Sequence, residues 1–406
     1  MYKKIILCLL IIPILFTACG RKIDTDPDTI NIMCESGQAK LISKLWLTAF
    51  CYDNSIKEPK YITENDFEGY LEFNDALYKN IMTQSSDIDI FFISNMDENA
   101  YKLIEGHYYV DLSRDEVLAE CFEDMYPQIR DWSTYGDEIF GFPNNYFAYM
   151  NMMVDESQTK SAGYGRGDFR TTEDLLAFCD AWRGQYAAPP VEGFSLIDWY
   201  YYNYILQHYD HESGELNLDT PEFRVLLTQC RELPQRESIF ERPTEETIYS
   251  FENTYTAPIL LRYYEDRPDW HPQYTRVPYP QLAGEDPDPK RPVHVIWFII
   301  NPYSQKTEKA LECIRWLAGT EADEYRSCLL YRDAESYPDR DYTQALLDRV
   351  GENLTHVNAV FWFPGFSEAC APISRYVYGK ADSLDDAVAE AQRILDTIRQ
   401  EQYIGE

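Results

Sequence analysis

Behind Lys3 and Lys4 runs an unbroken apolar stretch from Ile5 to Phe16, and after it the chain is polar from Gly20 to Thr29. Thr29-Ile-Asn-Ile-Met-Cys34 then places apolar side chains at alternate positions, the period of a strand. Glu35-Ser-Gly-Gln38 reads as a turn, and Ala39 to Phe50 carries its apolar residues at helical spacing. The same spacing returns from Asp66 to Met82, through Phe67, Leu71, Ala76, Leu77 and Ile81. Ser85 to Ser94 is rich in β-branched and aromatic residues and is expected to be a strand. Ser113 is expected to cap a helix through Val117, Leu118 and Phe122 that ends near Pro127. Asp131 to Phe140 reads as a polar connection, and Gly141 to Val154 as one extended run. Pro278 to Pro292 is too poor in apolar residues for a core and is expected to be a loop. At the far end Leu384, Ala387, Val388, Ala391, Ile394, Leu395 and Ile398 mark a helix capped by Ser383, with acids in its first turn. Strands near Ile30, Ile88 and Val293 alternating with helices predict an α/β fold on mixed sheets.

The leading segment has the layout of a secretory signal. Its apolar run is well short of the roughly 20 residues that span a bilayer as a helix. Thr17 and Ala18 lead into Cys19, and this resembles the lipobox of bacterial lipoproteins, with Phe16 where that motif usually has Leu. The resemblance implies a leader over 1–18, a diacylated Cys19 at the mature N-terminus, and a flexible tether over 19–29. Two acyl chains hold a protein on a membrane far better than one. The chain is then expected on the outer face of the bacterial cytoplasmic membrane, extracellular or periplasmic. An ordinary cleaved leader and a retained membrane helix are the alternatives.

A chain of 406 residues suits two domains, and 45% hydrophobic residues are enough to fill their cores. With 36 basic against 69 acidic residues the formal charge is −33, which argues against nucleic acid or an anionic lipid surface as partner. The ten cysteines are scattered, without a C-x-x-C pair; free buried thiols are expected, with an oxidised pair or two as the alternative. His208-Tyr-Asp-His211-Glu212 has neither the H-E-x-x-H nor the finger spacing of a zinc site and reads as a solvated turn. Gly163-Tyr-Gly-Arg-Gly167 is a surface connection. There is no G-x-S-x-G, no P-loop and no G-x-G-x-x-G behind a strand, so no catalytic residue, metal or cofactor is expected. Paired carboxylates for glycoside hydrolysis need a separation that sequence spacing does not reveal.

Several segments in order carry a family resemblance. They are Asp87-Ile-Asp-Ile-Phe-Phe, Leu103-Ile-Glu-Gly-x-Tyr-Tyr-Val-Asp-Leu-Ser113, Met125-Tyr-Pro, Gly141-Phe-Pro and Thr171-Thr-Glu-Asp-Leu-Leu176. Ser213 to Phe223, His294 to Leu317 and Ser383 to Gln392 continue the series, with Thr220 as a helix cap and Pro221 in the first turn. Together they resemble the extracellular solute-binding proteins of the maltose-binding type, lipoprotein components of ABC importers. The resemblance implies a two-lobed type II fold, each lobe a mixed sheet flanked by helices, with the solute between the lobes. It implies crossings near Asn144 to Tyr149, Arg276 to Pro278 and Tyr331, hence lobe 1 over 30–147 and 275–330 and lobe 2 over 148–274 and 331–400. A monomer working with ABC permease subunits is expected.

The aromatic load, 33 Tyr, 20 Phe and 8 Trp, bears on the solute. A pyranose has an apolar C–H face and a polar rim, so its site needs flat aromatic faces edged by carboxylates or amides. Asn145, Tyr146 and Phe147 at the first crossing offer that mixture, as do Ser195, Asp198 and Trp199, Tyr255, and Trp362. By family position Glu35, Ser36, Asn95 and Asp97 join them, with helix capping as the alternative role. Trp182 and Trp316 sit in helical patterns and are expected in cores. The expected function is capture of a mono- or oligosaccharide for an importer. The alternatives are a surface glycan-binding or sensing module, an importer protein for a non-sugar solute, and an extracellular carbohydrate-active enzyme.

Overall fold

The computed structural model describes residues 25–26, 28–35, 47–53, 57–68, 70–148, 151–183, 185–186, 190–193, 197–235, 240–241, 258–262, 274–277, 280–282, 291–318, 354 and 357–402. The chain divides into two compact units, Met1–Phe92 with Ile300–Trp316, and Ile93–Ile299 with Leu317–Glu406.

In the first unit, strand Asn31–Met33 pairs in parallel with Lys60–Ile62 and with the start of Ile90–Ser94. Every residue of the central strand is buried, as expected of parallel strands covered on both faces. The helix pattern begun at Asp66 starts later, at Tyr70–Met82. The Asp66 carboxylate instead accepts from the Thr63 amide (2.9 Å), closing a 3-10 turn over Glu64–Asp66. Phe73, Leu77 and Ile81, four residues apart, are the buried stripe of that helix. Of the expected helix Ala39 to Phe50, only the end lies in the described residues, in Thr48–Asp53. Phe50 packs on Trp316 at 5.7 Å, so Trp316 is in a core as expected.

The second unit holds a mixed sheet in the order Tyr274–Val277, Asn151–Asp155, Ile259–Arg262, Val191–Gly193, Phe240–Glu241. Its first three strands run antiparallel and its last three parallel. Helices Thr172–Arg183, Ile197–His208, Pro221–Gln235, Phe366–Val377 and Leu384–Gln402 supply most of the associated core, Trp182 included. Strand Phe142–Ala148 pairs elsewhere, antiparallel to Arg291–Ile300, with a register shift at Ile296/Trp297. The single extended run expected from Gly141 to Val154 is therefore two strands in two sheets. Pro292 lies inside Arg291–Ile300 rather than in a loop, in its first residues, where a missing donor costs least.

Caps follow local chemistry. Thr220 accepts from the Phe223 amide with Pro221 in the first turn, and Ser383 accepts from Asp386. Thr171 and Asp174 form a reciprocal box ahead of Thr172–Arg183. Ser113 does not cap: Asp115 accepts from the Leu118 amide and opens Glu116–Asp124, while Asp111 takes the Ser113 amide and hydroxyl. An ionised oxygen outcompetes the hydroxyl at both places. Pro127 opens a further helix, Pro127–Trp132, and the expected polar connection after it is a hairpin, Thr134–Tyr135 with Glu138–Ile139, turning at Gly136 with φ 61°. Among the described residues seven cysteines are free, all buried except half-buried Cys121. No described helix is long and apolar enough to cross a membrane.

Candidate functional site

The carboxyl ends of two parallel strands carry the polar residues expected from sequence. In the first unit, half-buried Glu35 stands just beyond Asn31–Met33; Ser36 lies outside the described residues, as do Cys19, Ser195 and Tyr255. In the second unit, Asn95 follows Ser94 directly and is buried. Its Nδ2 donates to the carbonyls of Val293 (2.7 Å) and Val360 (2.8 Å), and its Oδ1 accepts from the Val295 amide (2.8 Å). Its carbonyl accepts from the Trp362 amide at 2.8 Å. One carboxamide thus ties the loop to strand Arg291–Ile300 and to the segment carrying Trp362. Asp97 is half-buried, and its Oδ2 accepts from the Ser94 amide (2.7 Å) and hydroxyl (3.2 Å), which closes the loop back on the strand end.

Sequence reasoning missed the next residue. Glu98 accepts from the amides of Gly365 (3.0 Å) and Ser367 (3.3 Å) and from the Ser367 hydroxyl (3.1 Å). Gly365 is the N-cap of Phe366–Val377 and has no side chain to cap with; its φ is 80°, in the left-handed region, and a Cβ there would crowd the Ile398 side chain. Glu98 supplies the missing cap from across the unit and places a negative charge at the positive end of the helix.

Trp362 is half-buried between Phe366 (4.7 Å) and Tyr202 (6.3 Å), and Tyr202 lies 5.1 Å from Phe366. Met96 and Val360 pack against the same core. Asp198 stands one turn before Tyr202 and accepts from the phenols of Tyr201 (2.5 Å) and Tyr378 (3.0 Å). Burial pushes the phenols of Tyr201 and Tyr202 well above the usual range, so both stay protonated and able to donate. Trp199 is on the same helix, with its side chain outside the described residues. So are the side chains of Asn145, Tyr146 and Phe147, whose backbone pairs with Ile296, Val295 and His294. The structure therefore joins Asn95, Asp97 and Trp362 in one local arrangement, with Asp198 on the helix that carries Tyr202.

The turn at His208 to Glu212 is only partly solvated. Exposed His208 bonds the Tyr204 carbonyl (2.7 Å) and Asp210 folds onto Ser213, but His211 stacks on Tyr101 at 4.3 Å. Burial lowers the His211 pKa to about 4, opposed by a hydrogen bond to the Phe361 backbone. A neutral, stacked imidazole replaces the expected solvated one. No group of His, Cys, Asp or Glu among the described residues is arranged to hold a metal ion.

No protein-family model matches the sequence, and no curated protein matches it. Solved structures share the fold. UgpB from Mycobacterium tuberculosis in complex with glycerophosphocholine is similar over 93% of this chain and all of its own, at a TM-score of 0.68 and 14% identity. The GacH receptor of Streptomyces glaucescens, studied unliganded and with acarbose, is similar over 92% of this chain and 99% of its own, at 0.66 and 12%. Maltose-bound T. maritima MalE3 is similar over 91% and 99%, at 0.64 and 16%. The fold is thus the α/β fold of these proteins, with mixed sheets flanked by helices, as the sequence pattern and the family resemblance both implied.

Proposed function

We propose that this chain is the substrate-binding component of an ABC importer and captures a mono- or oligosaccharide without chemical change to it. The observation that supports the reading is the fold, shared over more than nine-tenths of the chain with maltose-bound and acarbose-bound proteins. The arrangement at the strand end agrees with it. Trp362 packs near Tyr202, Asp97 lies in the loop whose Asn95 carbonyl accepts from the Trp362 amide, and Asp198 stands one turn before Tyr202; rings and carboxylates are the mixture a pyranose needs. On this reading Cys19 carries the lipid anchor on the outer face of the membrane, and the lobes are 30–147 with 275–330 and 148–274 with 331–400. A polar non-sugar solute is the second reading, favoured by the glycerophosphocholine complex of like fold.

The test is a thermal-shift screen of the purified chain against sugars, oligosaccharides, amino acids, polyamines and phosphodiesters. A ligand that binds only the native state at 100 times its Kd adds about 2.7 kcal/mol, a rise of several degrees. A rise from one sugar class names the cargo; a rise from phosphodiesters alone moves the reading to the second solute class; product formation would replace binding by catalysis. Trp362→Ala should weaken sugar binding about tenfold, roughly the contribution of one aromatic face. Unchanged affinity in a folded variant removes Trp362 from the site. Metabolic labelling with a palmitate analogue should be lost in Cys19→Ala, and label retained there would remove the anchor.

A further inference from the structure

The segment 358–363 presents its side chains to two places. Val360 and Trp362 pack on the core of the second unit, while Asn358 and Phe361 line a cavity of about 500 Å³ in that unit. This is within the roughly 300–1,000 Å³ over which ligand pockets fall. We infer that the cavity is a second small-molecule site, and that its ligand is a neutral hydroxylated ring of pyranose size.

Three features carry the assignment. The first is a set of aromatic side chains, Tyr101, Trp132 and Phe361, of which Tyr101 and Phe361 belong to a run of packed rings. His211 stacks on Tyr101 (4.3 Å), Tyr101 meets Phe361 edge-on (5.9 Å), and Phe361 lies parallel to buried Trp297 (5.7 Å, 15°). Trp297 is pinned in turn by its Nε1 hydrogen bond to Ser133 (3.0 Å). Rings locked by their neighbours lose little freedom when a ligand arrives.

The second feature is the polar edge. Gln128 and Asp131 lie three residues apart on helix Pro127–Trp132, on one face, and Asn358 is on the opposing segment. The carboxylate accepts from sugar hydroxyls, and the two carboxamides both accept from and donate to them. The third is charge. No described lining residue is basic, so phosphate- or carboxylate-bearing ligands meet the Asp131 charge without a cationic partner among them. Of the residues proposed for solute capture, those with described side chains (Glu35, Asn95, Asp97, Asp198 and Trp362) do not line it, so the two can be tested apart.

The experiment is saturation-transfer NMR on the full chain with methyl glucoside, methyl galactoside, methyl mannoside and maltose, each in wild type, Trp362→Ala, the double variant Gln128→Ala/Asp131→Asn and the triple variant that combines all three replacements. Gln128 is half-buried and Asp131 exposed, and melting curves check that the variants fold. The expected result is a sugar that binds at least about tenfold more weakly in the triple variant than in Trp362→Ala. Equal binding of every sugar by Trp362→Ala and the triple variant overturns the inference, as does no sugar binding to Trp362→Ala. Tetramethylammonium binding that disappears in the double variant, with no sugar doing so, also overturns it, since aromatic faces beside one carboxylate would then be a cation cage. Loss of the importer reading alone would show as sugar binding sensitive to the double variant and indifferent to Trp362→Ala.

Discussion

Each unit contains a buried polar side chain that ties distant segments together, and the two do so by different physics. In the first unit Asp89, 1% exposed, accepts from the Asn31 amide (2.8 Å), the Ser304 hydroxyl (2.5 Å) and the Lys306 ammonium (3.1 Å). Lys306 also donates to the carbonyls of Asp26 and Thr29, and Asn301 donates to those of Ser85 and Ile88. In the second unit Asn95, equally buried, does its work with a neutral amide and backbone partners alone. A buried charge must be matched by an opposite charge or the site fails; a buried amide needs only geometry. The ionic knot therefore reads as stability. The amide knot reads as positioning, because one of its partners is the segment that bears Trp362.

The sharpest way to break the comparison is to delete one charge. Asp89→Ala leaves the Lys306 ammonium, 19% exposed, without its carboxylate, and should cost about 3–5 kcal/mol in chemical denaturation. Adding Lys306→Met should recover much of that loss, because no unpaired charge remains. A loss below about 1 kcal/mol from Asp89→Ala would mean that water or relaxation already screens the pair. Asn95→Ala leaves the Val295 amide and two carbonyls to find new partners, and should cost about 2–3 kcal/mol. It should also weaken solute binding, whereas folded Asp89→Ala should bind normally; the reverse pattern would interchange the two roles.

Acid acts on the second unit through its histidines. Burial holds His211 and His294 down at about 4, against an ordinary 6.5. Above pH 6.5 both are neutral whether the chain is folded or not, so they contribute nothing to pH dependence there. Between 6.5 and 4 the unfolded chain binds protons that the folded chain refuses, so stability falls as pH falls. Each should take away on the order of 2 kcal/mol by the foot of that window. His211→Asn should flatten the slope of melting temperature between pH 6.5 and 4.5 by about half. An unchanged slope would place His211 in water and its stack on Tyr101 outside the stable fold.

What was legible in the sequence was local. Thr220, Pro221 and Ser383 act within one helical turn, and the periodicity of Leu384 to Ile398 reports a single buried face. Ser113 misled because two aspartates, Asp111 and Asp115, compete for the same amides and hydroxyl, and the pattern does not rank them. Gly141 to Val154 looked continuous because strand period says nothing of partner; the division is set by Arg291–Ile300 and Ile259–Arg262, far along the chain. At the site, the family resemblance singled out Asn95 and Asp97 by position, but no local pattern shows that Asn95 bonds Val293, Val295 and Val360. The solvated reading of His211 failed for the same reason, since its burial is supplied by Tyr101 and Phe361.

Glu98 gives the smallest and most specific test of positioning by the second knot. It lies 267 residues from Gly365, and together they build one helix cap: a glycine at φ 80°, a conformation that residues with a Cβ adopt only under strain, and a carboxylate that replaces the side chain glycine lacks. Glu98→Gln keeps the shape and one acceptor oxygen but removes the charge at the helix N-terminus, and should cost about 1 kcal/mol. Salt should shrink that difference, since a part-exposed charge–dipole interaction is screened over roughly 10 Å at 0.1 M. If Asn95 alone positions the Trp362 segment, Glu98→Gln will lower the melting temperature slightly and leave solute affinity intact. If the cap shares that work, affinity will fall in step with stability. A salt-insensitive loss of stability would instead assign the effect to the hydrogen bonds to Gly365 and Ser367 rather than to charge.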